Sequence, residues 1–297
     1  SCFGEDDGEI NVTTTGGAGG NTFSWTNTSQ VSQNIDNLSA NTYVVTITDN
    51  NSCTAQGSAT ITEPDELTAS ANSVDLNGFG ISCFGANDGE INVTTTGGAG
   101  GNTFSWTNTS QVTQDINGLS PNTYVVTITD NNGCTAQDNA TITEPGELTA
   151  TATVASDFTG FGVSCFGEDD GEINVTTTGG AGGNTFSWTN TSQVSQDING
   201  LSANTYVVTI TDNNSCTAQD NATITEPSEL TATATVASDF NGFGVSCFGA
   251  NDGEINVTTT GGAGGNTFSW TNTSQVTQDI NGLSANTYVV TITDNNG

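Results

Sequence analysis

The 297-residue sequence contains no lysine, arginine, histidine or methionine. Without basic side chains there is nothing to neutralise phosphates, so nucleic-acid binding loses its electrostatic term. Docking on an anionic membrane through basic residues is excluded on the same ground. No intrachain salt bridge is expected. Ser-His-Asp, Cys-His, Walker-lysine, Schiff-base and arginine-finger chemistry each lack a required side chain. Zinc sites that use histidine are ruled out as well. Carboxylates, hydroxyls, amides, thiols and aromatic rings remain.

Acid is abundant. The 32 Asp and Glu residues give a formal net charge of −32. High net charge with 32% hydrophobic residues leans towards disorder on composition alone. The arrangement of the apolar residues argues the other way, and it is organised by internal repeats. Ser-Cys-Phe-Gly opens the chain at Ser1 and returns at Ser82, Ser164 and Ser246. The string GEINVTTTGGAGGNTFSWTNTSQV occurs four times unchanged. A second layer lies above this. The first and third copies read EDDGE and the second and fourth ANDGE, so the recent duplication involved a pair of repeats.

Within each repeat, apolar residues alternate with period two, the signature of half-buried strands. Leu148 to Val154 places Leu, Ala, Ala and Val on one face and threonines on the other. Tyr206 to Thr211 turns Tyr206, Val208 and Ile210 inward. Gly-, Asn- and Asp-rich stretches separate the runs, as turns require. The segment TYVVTITD, followed by Asn-Asn-Gly or Asn-Asn-Ser and then CTAQ, predicts a hairpin. Six or seven short strands in about 80 residues predict an all-β immunoglobulin-like β-sandwich. Leu201 to Tyr206 matches a tyrosine corner at the start of strand F, and Trp25, Trp106, Trp188 and Trp270 sit where a core Trp on strand C belongs.

Boundaries are expected at Glu63-Pro64, Glu144-Pro145 and Glu226-Pro227. They give a partial repeat 1–64 without its first strand, full repeats 65–145 and 146–227, and a partial repeat 228–297 without its last strand. The chain reads as a slice of a longer array. Linkers of one or two residues predict a rod-like array of tandem domains.

Seven cysteines occur, at 2, 53, 83, 134, 165, 216 and 247. The favoured pairing lies within the repeat: Cys2 with Cys53, Cys83 with Cys134, and Cys165 with Cys216, leaving the partner of Cys247 beyond the chain. Pairing across a repeat boundary, such as Cys53 with Cys83, also leaves one over, so the odd count decides nothing. The spacing fits no CxxC metal site. Disulfides would imply an oxidising, extracellular location.

The ordered combination S-C-F-G-x-x-D-G, TGGxGGNTFSW, GLSxxTYxVTITDNNxCTA and TITEP resembles the SprB repeat, in all four copies. That resemblance implies a cell-surface protein of the Bacteroidota, exported by the type IX secretion route, whose repeats form a long stalk. Some members of the family act in adhesion and gliding motility. The absence of Lys and Arg, and the Phe/Gly-rich stretch before each later Ser-Cys-Phe-Gly (Asp157 to Gly162, for example), depart from the family pattern.

Acidic loops are the candidate sites. Hard cations such as Ca²⁺ take six to eight oxygen ligands. The candidate ligands, with calcium as the candidate cofactor, are Asp6, Asp7, Glu9, Asp88, Glu90, Asp169, Asp170 and Glu172 in the loops, and Asp49, Asp130 and Asp212 at the hairpin tips. The competing reading is turn chemistry, with Asp, Asn and Gly chosen for backbone conformation. Thr13 to Asn21 has the glycines of a phosphate loop, but no lysine and no following helix, so it reads as a long turn. Phe79, Phe158, Phe161, Phe240 and Phe243 fall outside clean strands and read as packing at a domain junction or as a contact between domains or chains. Carboxylate pairs repeated in every copy make a poor glycosidase.

The expected function is a non-catalytic stalk of an extracellular adhesin or surface filament. The alternatives are weak carbohydrate modules acting by avidity or a self-assembling fibre subunit. The expected partners are extracellular polysaccharide or surfaces, and like chains in a filament, with no nucleic acid and no membrane insertion.

Overall fold

The alternating runs form strands, and the third repeat shows the plan. The computed structural model describes every residue, Ser1–Gly297. Thr149–Val154 pairs antiparallel with Gly171–Thr178, which pairs with Ile198–Leu201. Asn204–Thr211 lies between Thr185–Trp188 and Thr217–Ile224, again antiparallel. The inward residues of these two three-stranded sheets make one apolar core: Ile173, Val175 and Ile198 from the first, and Trp188, Tyr206, Val208 and Ile210 from the second. Threonines line the wet face. Thr205 and Thr223 sit opposite one another with hydroxyl oxygens 2.9 Å apart, the cross-strand pairing that stabilises sheets. The second repeat is built the same way, from Thr68–Ser73 to Thr135–Ile142. The chain is therefore all-β, an array of immunoglobulin-like sandwiches with four separate cores.

Two expected signatures are in place. The Trp188 ring is buried and its Nε1 donates to the Ser195 carbonyl at 3.0 Å. Tyr206 Oη donates to the Ser202 carbonyl at 3.0 Å, closing the tyrosine corner. The same bond ties Tyr43 to Ser39, Tyr124 to Ser120 and Tyr288 to Ser284.

The sandwich is closed by a residue that the sequence pattern does not single out. The opening strand of a repeat lies at one sheet edge, beside the closing strand of the other sheet. There Asp220 Oδ2 accepts the Ala152 N–H at 2.9 Å, and Asp138 Oδ2 accepts the Ala71 N–H at 2.8 Å. An edge amide with no strand partner is thus satisfied by a carboxylate, in a chain with no lysine to guard the edge. The first repeat carries Gly57 at this position and has no opening strand. An open groove of about 530 Å³ remains there, lined by Ile10, Val12, Trp25 and Val45 among others.

Pairing, more than sequence, sets strand length. Glu9 to Thr15 is identical to Glu90 to Thr96, yet the first repeat's strand is Gly8–Ile10 and the second's is Gly89–Thr96. The longer strand has an opening strand to pair with; the shorter one has none. In the fourth repeat Val290–Thr293 is half the length of Asn204–Thr211, and it lacks a closing strand beside it.

The chain forms two compact units, Ser1–Pro145 and Gly146–Gly297, each holding two of the cores.

Replacing Ile210 with Ala removes a fully buried side chain and should cost about 2–5 kcal/mol. Val194, which is 73% exposed, should tolerate Ala within about 0.5 kcal/mol. Because each repeat holds one of the four tryptophans, Ile210→Ala should move only part of the fluorescence transition to lower urea.

Candidate functional site

The hairpin tips gather the densest polar chemistry in the chain. In the second repeat the tip runs from Asp130 to Cys134. Asp130 is buried, and its carboxylate is filled by backbone donors. Oδ1 accepts the Asn132 and Cys134 N–H groups, both at 2.9 Å. Oδ2 accepts the Ala99 N–H at 2.8 Å, which draws the glycine-rich loop over the tip. The Asn131 N–H completes the clamp on the Gly100 carbonyl at 2.9 Å. Gly98 has a φ of 68° and no room for a side chain, since a Cβ there would stand 2.9 Å from Asp130 Oδ2. The glycine-rich part of the stretch, residues 97–101, is therefore a loop seated on the hairpin, while Thr94, Thr95 and Thr96 end the strand Gly89–Thr96. Asp49, Asp212 and Asp294 repeat the contact through Ala18, Ala181 and Ala263.

The loops before the second strand form a different cluster. Asp88 Oδ1 accepts the Ser82 N–H at 3.1 Å, and Asp170 does the same for Ser164 at 3.0 Å. Each bond closes the Ser-Cys-Phe-Gly turn. Glu144 and Glu226, the glutamates of the Glu-Pro steps, accept the Gly85 and Gly167 N–H groups at 3.2 and 3.0 Å. In the first repeat Asp7 receives the chain's amino terminus at 2.8 Å. This is an ion pair that counting side chains alone did not anticipate.

The candidate cation ligands are thus dispersed, and about half of them are engaged with backbone. Asp49, Asp130 and Asp212 lie at tips, and Asp7, Asp88 and Asp170 close turns. Glu9 accepts the Asn11 side chain at 3.0 Å, while Asp6, Glu90, Asp169 and Glu172 face solvent. Nowhere do three or more Asp, Glu, Cys or His side chains converge. Of these oxygens, those of Asp49, Asp88, Asp130, Asp170 and Asp212 are acceptors aimed at backbone N–H groups.

The cysteines do not pair within repeats. Cys2 is joined to Cys134, with Cα atoms 5.6 Å apart, and Cys53, Cys165 and Cys247 are free. This replaces the expected Cys2–Cys53, Cys83–Cys134 and Cys165–Cys216 bonds. The reason is geometric. Within the second repeat Cys83 sits beside the start of Gly89–Thr96, where the Gly80 N–H bonds the Thr143 carbonyl. Cys134 sits at the tip, beside the far end of that strand. Eight residues of strand span about 23 Å, far beyond the reach of a disulfide. The turn cysteine of one repeat instead meets the tip cysteine of the next.

A joint between repeats follows. In the first unit Asn132 Nδ2 donates to the Ser1 carbonyl at 2.8 Å beside the disulfide. In the second unit Asn296 Nδ2 donates to the Ser164 carbonyl at 2.8 Å and to the Phe158 carbonyl at 3.2 Å. Thr159 Oγ1 returns a bond to Asn296 Oδ1 at 3.0 Å. The phenylalanine-bearing turn here is a two-bond hairpin, with Phe158 and Phe161 exchanging backbone bonds at 2.8 and 3.1 Å. It presents its Phe158 carbonyl to the next repeat.

The SprB repeat family model matches residues 1–30, 81–111, 163–193 and 245–275, four tandem positions along the chain. No curated protein matches in sequence. Among solved structures, the tetra-tandem repeat in the extending region of a large adhesion protein is 13% identical, with 92% of this chain and 80% of that chain covered, at a TM-score of 0.28. The N-terminal eight Ig domains of Down syndrome cell adhesion molecule are 12% identical, with 97% and 66% covered, at 0.22. Domains 1–6 of the surface layer protein SbsC are 15% identical, with 92% and 48% covered, at 0.23.

Backbone N–H groups hold the Asp49, Asp130 and Asp220 carboxyls below the ordinary value of 3.8, chiefly those of Ala18, Ala99 and Ala152. Bonds from Ser82 and Ser246 do the same for Asp88 and Asp252. A carboxyl depressed on folding stabilises the fold above its unfolded value and loses that contribution as pH falls through the folded one. In about 0.15 M salt, where long-range repulsion is screened, the melting temperature should fall steadily below pH 3.8. A second test concerns the tips. Ser215 holds a φ of 69°, where the second repeat has Gly133 at 82°. Ser215→Gly should stabilise its repeat by about 1 kcal/mol, read as a higher urea midpoint.

Proposed function

We propose that this array of SprB repeats is a non-catalytic segment of the stalk of an extracellular adhesin, exported to the cell surface. The observation that carries this reading is the joint: one repeat's tip is fastened to the preceding repeat's turn by Cys2–Cys134 and the Asn132 amide. A part built for fastening copies in series serves spacing. A disulfide also fits an oxidising compartment outside the cytosol. The chemistry of the tips agrees, because the Asp130 and Asp212 carboxylates are spent on backbone N–H groups. The four tryptophans, the best stacking platforms for sugars, are all buried. The net charge of −32 keeps such segments soluble and mutually repelled.

In this reading the chain carries a gripping domain without gripping. Beads coated with the purified chain should show no saturable binding on a glycan array. Insertion of further repeat pairs into the parent surface protein should lengthen its reach without changing what the cell adheres to. Saturable glycan binding that is lost on substituting an exposed phenylalanine would favour a carbohydrate module instead.

A further inference from the structure

The chain contains seven Asn-Gly steps. Asparagine is a thermolabile residue, and a following glycine has no side chain to hinder attack of its backbone nitrogen on the asparagine amide. The step at Asn296 ends the sequence and is set aside. The other six fall into two structural classes.

In the first class the glycine nitrogen is occupied. The Gly133 N–H donates to the Asp130 carbonyl at 3.0 Å. The Gly78 N–H donates to Asp75 Oδ1 at 2.5 Å, and the Gly242 N–H to Asp239 Oδ1 at 2.6 Å. At the tip the side-chain amide is occupied as well, since Asn132 Nδ2 holds the Ser1 carbonyl.

The second class comprises Asn117, Asn199 and Asn281, and here the step lies at a bulge. Glu90 pairs with Asn117 and Gly89 with Leu119, so Gly118 is an extra residue with no counterpart on the neighbouring strand. Its φ is 68°, the conformation of a glycine in a G1 bulge. Gly200 and Gly282 are skipped by the pairing in the same way, with φ of 65° and 69°. All three asparagines and their glycines are exposed. The Asn117 backbone is bracketed by one side chain: its N–H donates to Gln111 Oε1 at 3.4 Å and its carbonyl accepts Gln111 Nε2 at 2.8 Å. The first repeat carries Asp36 at this position. Gln30 brackets it identically, at 3.4 and 2.7 Å, so a carboxylate fits there.

We propose that Asn117, Asn199 and Asn281 are the sites at which the chain deamidates, selected by the bulge. The Gly118 nitrogen, deprotonated by hydroxide, attacks Asn117 Cγ. A new C–N bond forms, the bond to the side-chain nitrogen breaks, and that nitrogen leaves as ammonia. Water then opens the cyclic imide at either carbonyl, giving aspartate or isoaspartate. Each event adds one negative charge. Aspartate reproduces what the first repeat already holds. Isoaspartate inserts a methylene into the backbone between Ile116 and Leu119, both buried, and so loosens that strand's hold on the core. The inference goes beyond the stalk reading and does not depend on it.

The test ages the full chain at neutral pH, folded and in urea. A glutamate-specific protease cuts it for mapping, because trypsin has no lysine or arginine to cut at, and tandem mass spectrometry locates each converted residue. In the folded chain Asn117, Asn199 and Asn281 should convert about tenfold faster than Asn77, Asn132 and Asn241, the weight of one hydrogen bond on the glycine nitrogen. In urea the six rates should converge. Electron-transfer fragmentation should find isoaspartate beside aspartate at the bulges. Equal rates at all six positions of the folded chain would overturn the proposal. So would faster conversion at Asn77, Asn132 or Asn241, or bulge positions that convert only in urea.

Discussion

A carboxylate in this chain has no cationic side chain to pair with, and that constraint shapes every loop. Burial of an unpaired charge is prohibitive, so Asp130 and Asp212 can be buried only where backbone N–H groups converge on them. Each such aspartate ties a glycine-rich loop to a hairpin tip. Asp88 and Asp170 close the turns, and Asp138 and Asp220 seal the sheet edge, by the same kind of bond. Negative charge that looks from composition like a destabilising excess is partly the means by which irregular backbone is held.

The ordered loops in turn place the joint. Asp130 fixes the tip from which Cys134 and Asn132 project, and Asp7 and its copies fix the turn that receives them. Each sandwich is held by its own apolar core, while the fastening between consecutive repeats within a unit is polar and covalent. Folding and fastening are thus assigned to different residues. This lets the sequence of the core stay nearly identical across copies, Ile81 against Val163 being an exception, while the turns vary between Glu-Asp-Asp and Ala-Asn-Asp.

Much of the sandwich was legible from pattern. Alternation located the strands, and Trp188 and Tyr206 located strands C and F. Three things were not. Asp220 reads as a solvent-facing residue of a strand, because nothing in sequence says that an unpaired amide of Ala152 lies beside it. Asp49, Asp130 and Asp212 read equally well as cation ligands, since clustered oxygens suit a cation or a set of N–H donors, and only backbone direction distinguishes them. The cysteine pairing failed for want of one deduction. Asn204–Thr211 starts where the short strand Ile198–Leu201 ends, beside the start of Gly171–Thr178. A cysteine before Gly171 and one after Thr211 must then lie at opposite ends of a sandwich.

The Cys2–Cys134 bond also decides where tension goes. A pull applied at Ser1 and at the end of the first unit passes through the sulfur bridge and enters the backbone again at Cys134. Residues between the two cysteines, which include a whole strand set from the first repeat and most of the second, bear none of it. The bridge withholds the chain between cysteines 132 positions apart, roughly 450 Å of contour, from extension. Of the strands in that unit, only Thr135–Ile142 lies on the loaded path. Reduction of one bond would convert a nearly inextensible segment into a long, sacrificial spring.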